Sequence, residues 1–185
     1  MIILGIDPGT LITGYGIIDT DNRRFRVLTC GAIKNDSKTS LPLRLKVIFN
    51  QLTSVIKKYH PDEFAIETAF YGKNAQSALK LGHARGVAML AAVAQEIPVQ
   101  EYSPLEVKKA IVGNGRASKE QVQYMVKSLL RLKHVPSHYD ITDALAVAIC
   151  HSHRSAKPRK AYTDWKSYIA THPSRISKTS QPKVR

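Results

Sequence analysis

The amino-acid sequence predicts an α/β fold: a mixed sheet of five strands flanked by helices. Three observations carry this. The first third of the chain holds three apolar runs joined by short links, which argues a meander of adjacent antiparallel strands. Beyond it, segments with apolar residues at helical spacing alternate with two short apolar runs, the pattern of strand–helix crossovers. The length, 185 residues, suits one domain able to fold without a disulfide or metal.

The strands of the meander are residues 1–6 (MIILGI), 14–19 (GYGIID) and 25–33 (FRVLTCGAI). Leu41, Leu45, Ile48, Leu52, Val55 and Ile56 then recur at helical spacing, with Pro42 at the start, where its missing N–H costs nothing. Residues 64–67 (FAIE) form a short strand. Residues 75–94 are rich in Ala, Leu and Val and read as a core helix or a subunit contact. Residues 97–102 (IPVQEY) supply the fifth strand, and residues 107–111 look helical. Ser118, with Gln121 three positions on, marks a capped helix start with the stripe Val122, Met125, Val126, Leu129 and Leu130. Residues 140–151 form the last helix.

Charge is the unusual feature. The 28 Lys and Arg against 14 Asp and Glu give a net +14, a field that attracts polyanions, nucleic acid first and anionic membrane second. Nine of those 28 and only one acidic residue, Asp164, lie in residues 154–185, together with Pro158, Pro173 and Pro182. The expected division is therefore a body, 1–153, and a flexible basic tail, 154–185, with a short ordered piece near 162–169. Cys30 and Cys150 form no disulfide framework, and no apolar run reaches membrane-span length. No signal peptide is legible, so a cytoplasmic protein is expected.

Against this basic background four carboxylates stand out. Asp7 ends the first strand and Glu67 the fourth; if those strands are neighbours, the two converge where α/β sheets gather ligands. Asp140 and Asp143 are three apart and share a helix face. Each also has a plain structural reading. Asp7 could bond the amides of Gly9 and Thr10, Glu67 could form a strand-end salt bridge, Asp140 could be an N-cap, and Asp143 could face solvent. One device covers all four: hard oxygen ligands select Mg²⁺ or Mn²⁺, and a pair of such ions clamps the attacking and leaving oxygens of a phosphodiester. Positive surface to hold a nucleic-acid backbone, with an acidic centre to hold metals, is what a nuclease needs.

Five segments in order go further: MIILGIDPGTLITGYG (1–16), AIETAFYGKNAQSALKLGHARGVAMLAA (65–92), EYSPLEVK (101–108), VGNGRASKEQVQYMV (112–126) and YDITDALAVAICH (139–151). With these the chain resembles the bacterial crossover junction endodeoxyribonucleases, the RuvC Holliday junction resolvases, over about residues 1–153. The resemblance implies a ribonuclease H-like fold, a homodimer, and symmetric paired nicking of four-way DNA junctions that leaves 5′-phosphate and 3′-hydroxyl ends. It places the catalytic and metal-holding tetrad on Asp7, Glu67, Asp140 and Asp143. It implies two Mg²⁺ per subunit, with Mn²⁺ as substitute, and the RuvA–RuvB branch-migration complex as partner. It puts the aromatic at the junction centre on Phe70, a role Tyr71 could share, and backbone-contacting lysines on Lys108 and Lys119. Arg116, in a Gly-rich loop, is a further candidate for phosphate; Arg85 and Lys80 could contact DNA or pack at a dimer contact. Candidates for that contact are the 75–94 helix and the stripe of the Ser118 helix. His138, two residues before Asp140, could approach the site.

Three other readings stand beside this one. GIDPGT also resembles the phosphate loop of actin-like ATPases and sugar kinases, which need a second similar domain for which 185 residues leave no room. A ribonuclease H-like enzyme acting on RNA, and a junction-binding protein without activity, are the others; the latter leaves the tetrad unexplained.

Overall fold

The computed structural model describes residues 1–21, 24–68, 75–134, 136 and 138–155. The meander is β1 (Ile2–Asp7), β2 (Ile12–Asp21) and β3 (Arg24–Lys34). There follow α1 (Leu41–Tyr59), β4 (Glu63–Glu67), α2 (Ala75–Val93), β5 (Val99–Tyr102), α3 (Pro104–Val112), α4 (Lys119–Leu129) and α5 (Tyr139–Ser155). The sheet order is β3-β2-β1-β4-β5. The first three strands are antiparallel, whereas β4 pairs parallel to β1 and β5 parallel to β4. This is the expected mixed five-stranded sheet.

Side-chain alternation along the central strands assigns the two faces. From β1, Leu4 and Ile6 join Phe64 and Ile66 of β4 in a core closed by α1 and α2. Ile3 and Ala65 point the other way, into a second core under α3, α4 and α5. By the same alternation Gly5 and Asp7, and Glu63 and Glu67, belong to the α5 face. Helix α5 is buried continuously from Ala144 to Ser152, as a helix enclosed on all sides must be. Its seat is made by glycine: a Cβ on Gly5 would collide with the Ala144 carbonyl and with Ala148, and one on Gly14 with the Asp140 carbonyl.

Local chemistry sets the ends. Helix α3 starts three residues before the sequence reading places it, because Ser103 and Glu106 form a capping box: Ser103 N–H donates to Glu106 at 2.9 Å, and the Glu106 amide to Ser103 Oγ at 3.3 Å. Ser118 and Gln121 do the same for α4, as the sequence indicates. The β2–β3 ladder runs longer than expected, to Asp21↔Arg24. β5 starts at Val99, because Ile97 N–H is spent closing the end of α2 on the Ala92 carbonyl. α5 continues through Arg154 and Ser155, four residues past the expected helix end at 151 and two past the expected end of the body at 153. The remaining tail, including the piece near 162–169, lies outside the described residues.

The α4 stripe is not available as a dimer contact. Val122, Val126 and Leu130 are buried in this chain's own core, and Met125 and Leu129 pack against it. Among the described residues no helix is long and apolar enough to cross a membrane.

Replacing Gly14 by Ala should push α5 off the sheet. We expect a loss of about 1–3 kcal/mol in urea unfolding, the usual cost of overpacking.

Candidate metal-dependent nuclease site

β1 and β4 lie side by side with Ile6↔Ile66 in register, so Asp7 and Glu67 emerge together at the carboxyl ends of neighbouring strands. The condition that the sequence left open is met. Asp143, one turn into α5, comes over them from the face above. Asp7, Glu67 and Asp143 line one cavity of about 270 Å³ with Lys108, Lys119, Pro104, Val107 and Val122. Lys108 arrives on α3 and Lys119 on the first turn of α4, aimed by the two capping boxes.

The plain readings of the carboxylates give way to particular contacts. The Gly9 amide, a proposed partner of Asp7, donates instead to Thr13 Oγ1 at 3.4 Å, and Thr13 returns a bond to the Gly9 carbonyl at 2.6 Å. Asp140 is inside the first turn of α5 rather than its cap. Among the described residues Glu67 has no ion-pair partner, and Asp143 has Lys119, whose Nζ stands 3.8 Å away. Lys119 also lies 5.8 Å from the centre of the Tyr139 ring.

Electrostatics define what the cavity lacks. Burial first, then Glu67, Asp143 and Asp140, push the Asp7 carboxyl up to about 8. Burial and Asp143 push Glu67 up to about 7, with Lys119 and Lys108 pulling the other way. Burial raises Asp143 too, against the opposing pull of Lys119. Two lysines therefore leave the carboxylates undercompensated, and protons are retained near neutrality. A divalent cation can take the place of those protons. The donors are all hard oxygens, which fits Mg²⁺ or Mn²⁺. Among the described residues no three ligating side chains stand grouped as a finished metal cage.

A sequence model of the family described as crossover junction endodeoxyribonuclease RuvC matches residues 3–151. The chain belongs to the RuvC family. The family member from Desulforamulus reducens is 51% identical over 156 residues, covering 84% of this chain and 96% of that one. The member from Alkaliphilus oremlandii is 54% identical over 153 residues, covering 83% and 93%. Among solved structures, T. thermophilus RuvC in complex with a Holliday junction substrate superposes with a TM-score of 0.80 at 32% identity, over 84% of this chain and 94% of that one. The fold is thereby the ribonuclease H-like fold of RuvC structures.

The other sequence candidates fall into four groups. Lys108 and Lys119 line the cavity. Arg116 is exposed on the α3–α4 loop, its amide bonded to Asn114 Oδ1 at 3.0 Å. Arg85 is paired with Glu101 on β5, and neither it nor His138 lines the cavity. Phe70 and Tyr71 lie outside the described residues. Sequence reasoning missed the walls Pro104, Val107 and Val122 and the Tyr139 ring under Lys119; the helix start at Ser103–Glu106 was the signal that would have brought Pro104 and Val107 in.

The raised carboxyl values predict how metal-free stability depends on pH. A carboxyl that holds its proton more tightly folded than unfolded stabilises the fold at low pH and loses that contribution as pH rises from about 4 through 7–8. In EDTA, urea stability should fall over that window, and Mg²⁺ should restore it. Asp7→Asn should be more stable than wild type at pH 8 in EDTA, by on the order of a few kcal/mol, with the difference gone near pH 4. Equal stabilities at pH 8 would contradict the electrostatic account.

Proposed function

We propose that this chain resolves four-way DNA junctions by symmetric paired nicks, using Asp7, Glu67, Asp140 and Asp143 to hold two Mg²⁺ per subunit, or Mn²⁺ in their place. RuvC membership makes it a metal-dependent junction endonuclease. The observation that supports Asp7, Glu67 and Asp143 is the cavity in which they meet Lys108 and Lys119 at the carboxyl ends of β1 and β4; Asp140, in the first turn of α5, does not line that cavity and rests on the family resemblance.

Bound divalent ions would supply positive charge to the phosphate and make water a better nucleophile at neutral pH. The chain does the rest. Asp7, at the end of the central strand β1, would hold metal together with Glu67, Asp140 and Asp143. Lys108 and Lys119 attract the scissile phosphate as point charges. The phosphate's approach draws Lys119 from Asp143, freeing that carboxylate. Pro104, Val107 and Val122 make an apolar wall that limits water around the reacting group. Attack in line with O3′ breaks the P–O3′ bond and yields 5′-phosphate and 3′-hydroxyl ends without a covalent enzyme intermediate. Arg116 on its exposed loop, Phe70 and Tyr71 after β4, and the basic tail 154–185 are proposed to extend the DNA contact, Phe70 by stacking on an unpaired base. Residues 1–153 form the nuclease domain in this reading.

Two equivalent strands at a junction call for two sites related by two-fold symmetry. Helix α2 offers a surface for this: Leu79, Leu90 and Val93 are more than half exposed, and Gly82 and Gly86 between them face open space. The family resemblance supports RuvA and RuvB as companions, and a chromosomal substrate in a bacterium puts the enzyme in the cytoplasm.

The decisive measurement is nicking of a labelled four-way junction with a few base pairs of mobility, beside linear duplex and RNA–DNA hybrid. Paired, ligatable nicks are expected on the junction alone, with Mg²⁺ or Mn²⁺ and not with EDTA. Asp7→Asn and Asp143→Asn should each lower the rate by about 10³-fold while retaining junction binding in Ca²⁺; normal cutting by either would refute the assignment. Cutting of the hybrid instead would keep the fold and change the substrate. For the dimer, the double variant Leu79→Asp, Leu90→Asp should sediment at 20.6 kDa, where wild type is expected at about twice that.

A further inference from the structure

Behind the cavity is a buried polar chain that the nuclease reading does not use. His151 on α5 is 1% exposed and Tyr102 at the end of β5 is 6% exposed. Tyr102 Oη lies 2.7 Å from His151 Nδ1. The other ring nitrogen, Nε2, is bonded to Glu63 at the start of β4, with Ser155 Oγ 3.1 Å away. Burial pushes the Tyr102 phenol up to about 12, and one hydrogen bond joins its hydroxyl to Nδ1. The imidazole is thus bonded at both ring nitrogens, to Tyr102 on one side and to Glu63 on the other.

Tyr102 also reaches the cavity through its main chain. It pairs with Glu67 in the β4–β5 register. Its carbonyl accepts from the amide of Thr68, the residue after Glu67, at 2.7 Å. One residue is therefore bonded beside Glu67 by its backbone and to α5 by its side chain. Strand β4 is gripped at both ends, at Glu63 through His151 and beside Glu67 through Tyr102. A second tie lies alongside: Arg154 of α5 sits 5.6 Å from the Tyr102 ring centre and bonds Glu106, the capping residue of α3, at 2.6 Å.

Such a tie has a job. α5 rests on the sheet through Gly5, Gly14 and a run of Ala, Val and Leu, and apolar contacts of small side chains are non-directional. They hold the helix down, and the glycine seats give it a coarse register. Hydrogen bonds, those of His151 and the 3.0 Å bond between Ser152 Oγ and Thr20 Oγ1, add direction along the axis. Asp143 is eight residues from His151, about 12 Å along a rigid helix, so fixing His151 fixes Asp143 and Asp140 relative to Glu67.

We propose that Tyr102, His151 and Glu63 are positioning residues that set the spacing between Glu67 on β4 and the Asp140–Asp143 pair on α5, and through it the site's affinity for divalent cations. The inference rests on the metal-holding role proposed above for those carboxylates.

The test is Mn²⁺ binding to the purified full chain, read from the paramagnetic resonance of free Mn²⁺, in wild type, Tyr102→Phe, Glu63→Ala, Glu63→Gln and Asp7→Asn. The unfolding midpoint in EDTA is measured in parallel. Tyr102→Phe keeps the ring and the main-chain bonds and deletes one hydroxyl; Glu63→Ala cuts the chain at its more exposed end and decides the matter if the first variant folds poorly. Both should weaken Mn²⁺ binding by about three- to tenfold. The Mg²⁺ concentration for half-maximal nicking should rise by a similar factor, with most of the rate returning at saturating Mg²⁺. Glu63→Gln, which keeps an acceptor for Nε2, should bind Mn²⁺ nearly as wild type does. Tyr102→Phe and Glu63→Ala proteins that bind Mn²⁺ as tightly as wild type, whatever their unfolding midpoints, would overturn the proposal and leave the nuclease reading standing. Wild-type Mn²⁺ binding that ignores Asp7→Asn would overturn the metal assignment, and this inference with it.

Discussion

The close seat of α5 on β1 and β2 is the constraint on which the rest of this molecule depends. Asp7 and Glu67 come from strands, and Asp143 comes from a helix that crosses them. They can share a cavity only if that helix lies almost against the sheet backbone. Gly5 and Gly14 make this possible, because a methyl group at either position would strike α5 main-chain atoms. Close approach brings its own cost: the helix and everything under it are dry, so each carboxylate at the rim is partly desolvated. The geometry that assembles the site is therefore the same geometry that raises its carboxyl groups.

This coupling explains why the site is made of acids in a protein whose net charge is +14. In the proposed reading, long-range positive potential would concentrate the DNA backbone, whereas the buried negative cluster would take up the cations that the backbone alone would not hold at one point. Lys108 and Lys119 stand at the border between the two. They offset part of the repulsion among the carboxylates, and Lys119, itself largely exposed, is tied to Asp143 by one ion pair at 3.8 Å, for which phosphate could compete.

Two capping boxes translate sequence into this border. Ser103–Glu106 and Ser118–Gln121 start α3 and α4 at fixed residues, and each start sets a lysine into the cavity within the following two turns. Glu106 has a second task, as it also receives Arg154 from the far end of α5. Helix starts, the central helix and the strand ends are thus one connected frame around the site. On the opposite face α2 keeps Leu79, Leu90 and Val93 in solvent, and water-exposed apolar surface of this kind is where a second copy gains most by docking.

The sequence by itself determined the elements and the family. Period-two and period-3.6 patterns are local, so all five strands and the core of every helix could be read from them, and so could the family, from five motif blocks that carry the four candidate carboxylates and both lysines. What it could not determine was anything that depends on which elements touch. Asp7 and Glu67 are neighbours because β4 inserts beside β1, a topological fact 60 residues apart in the chain. The α4 stripe looked as ready for a partner as for a core; packing under the sheet made it core. Arg85 was open between DNA and a dimer contact, and only the fold shows Glu101 of β5 paired with it. Tyr102, Glu63 and His151 gave no pattern at all, being single residues on three elements. Burial and hydrogen-bond partnership are properties of the assembled fold, and only the tertiary structure could give those three residues a common role.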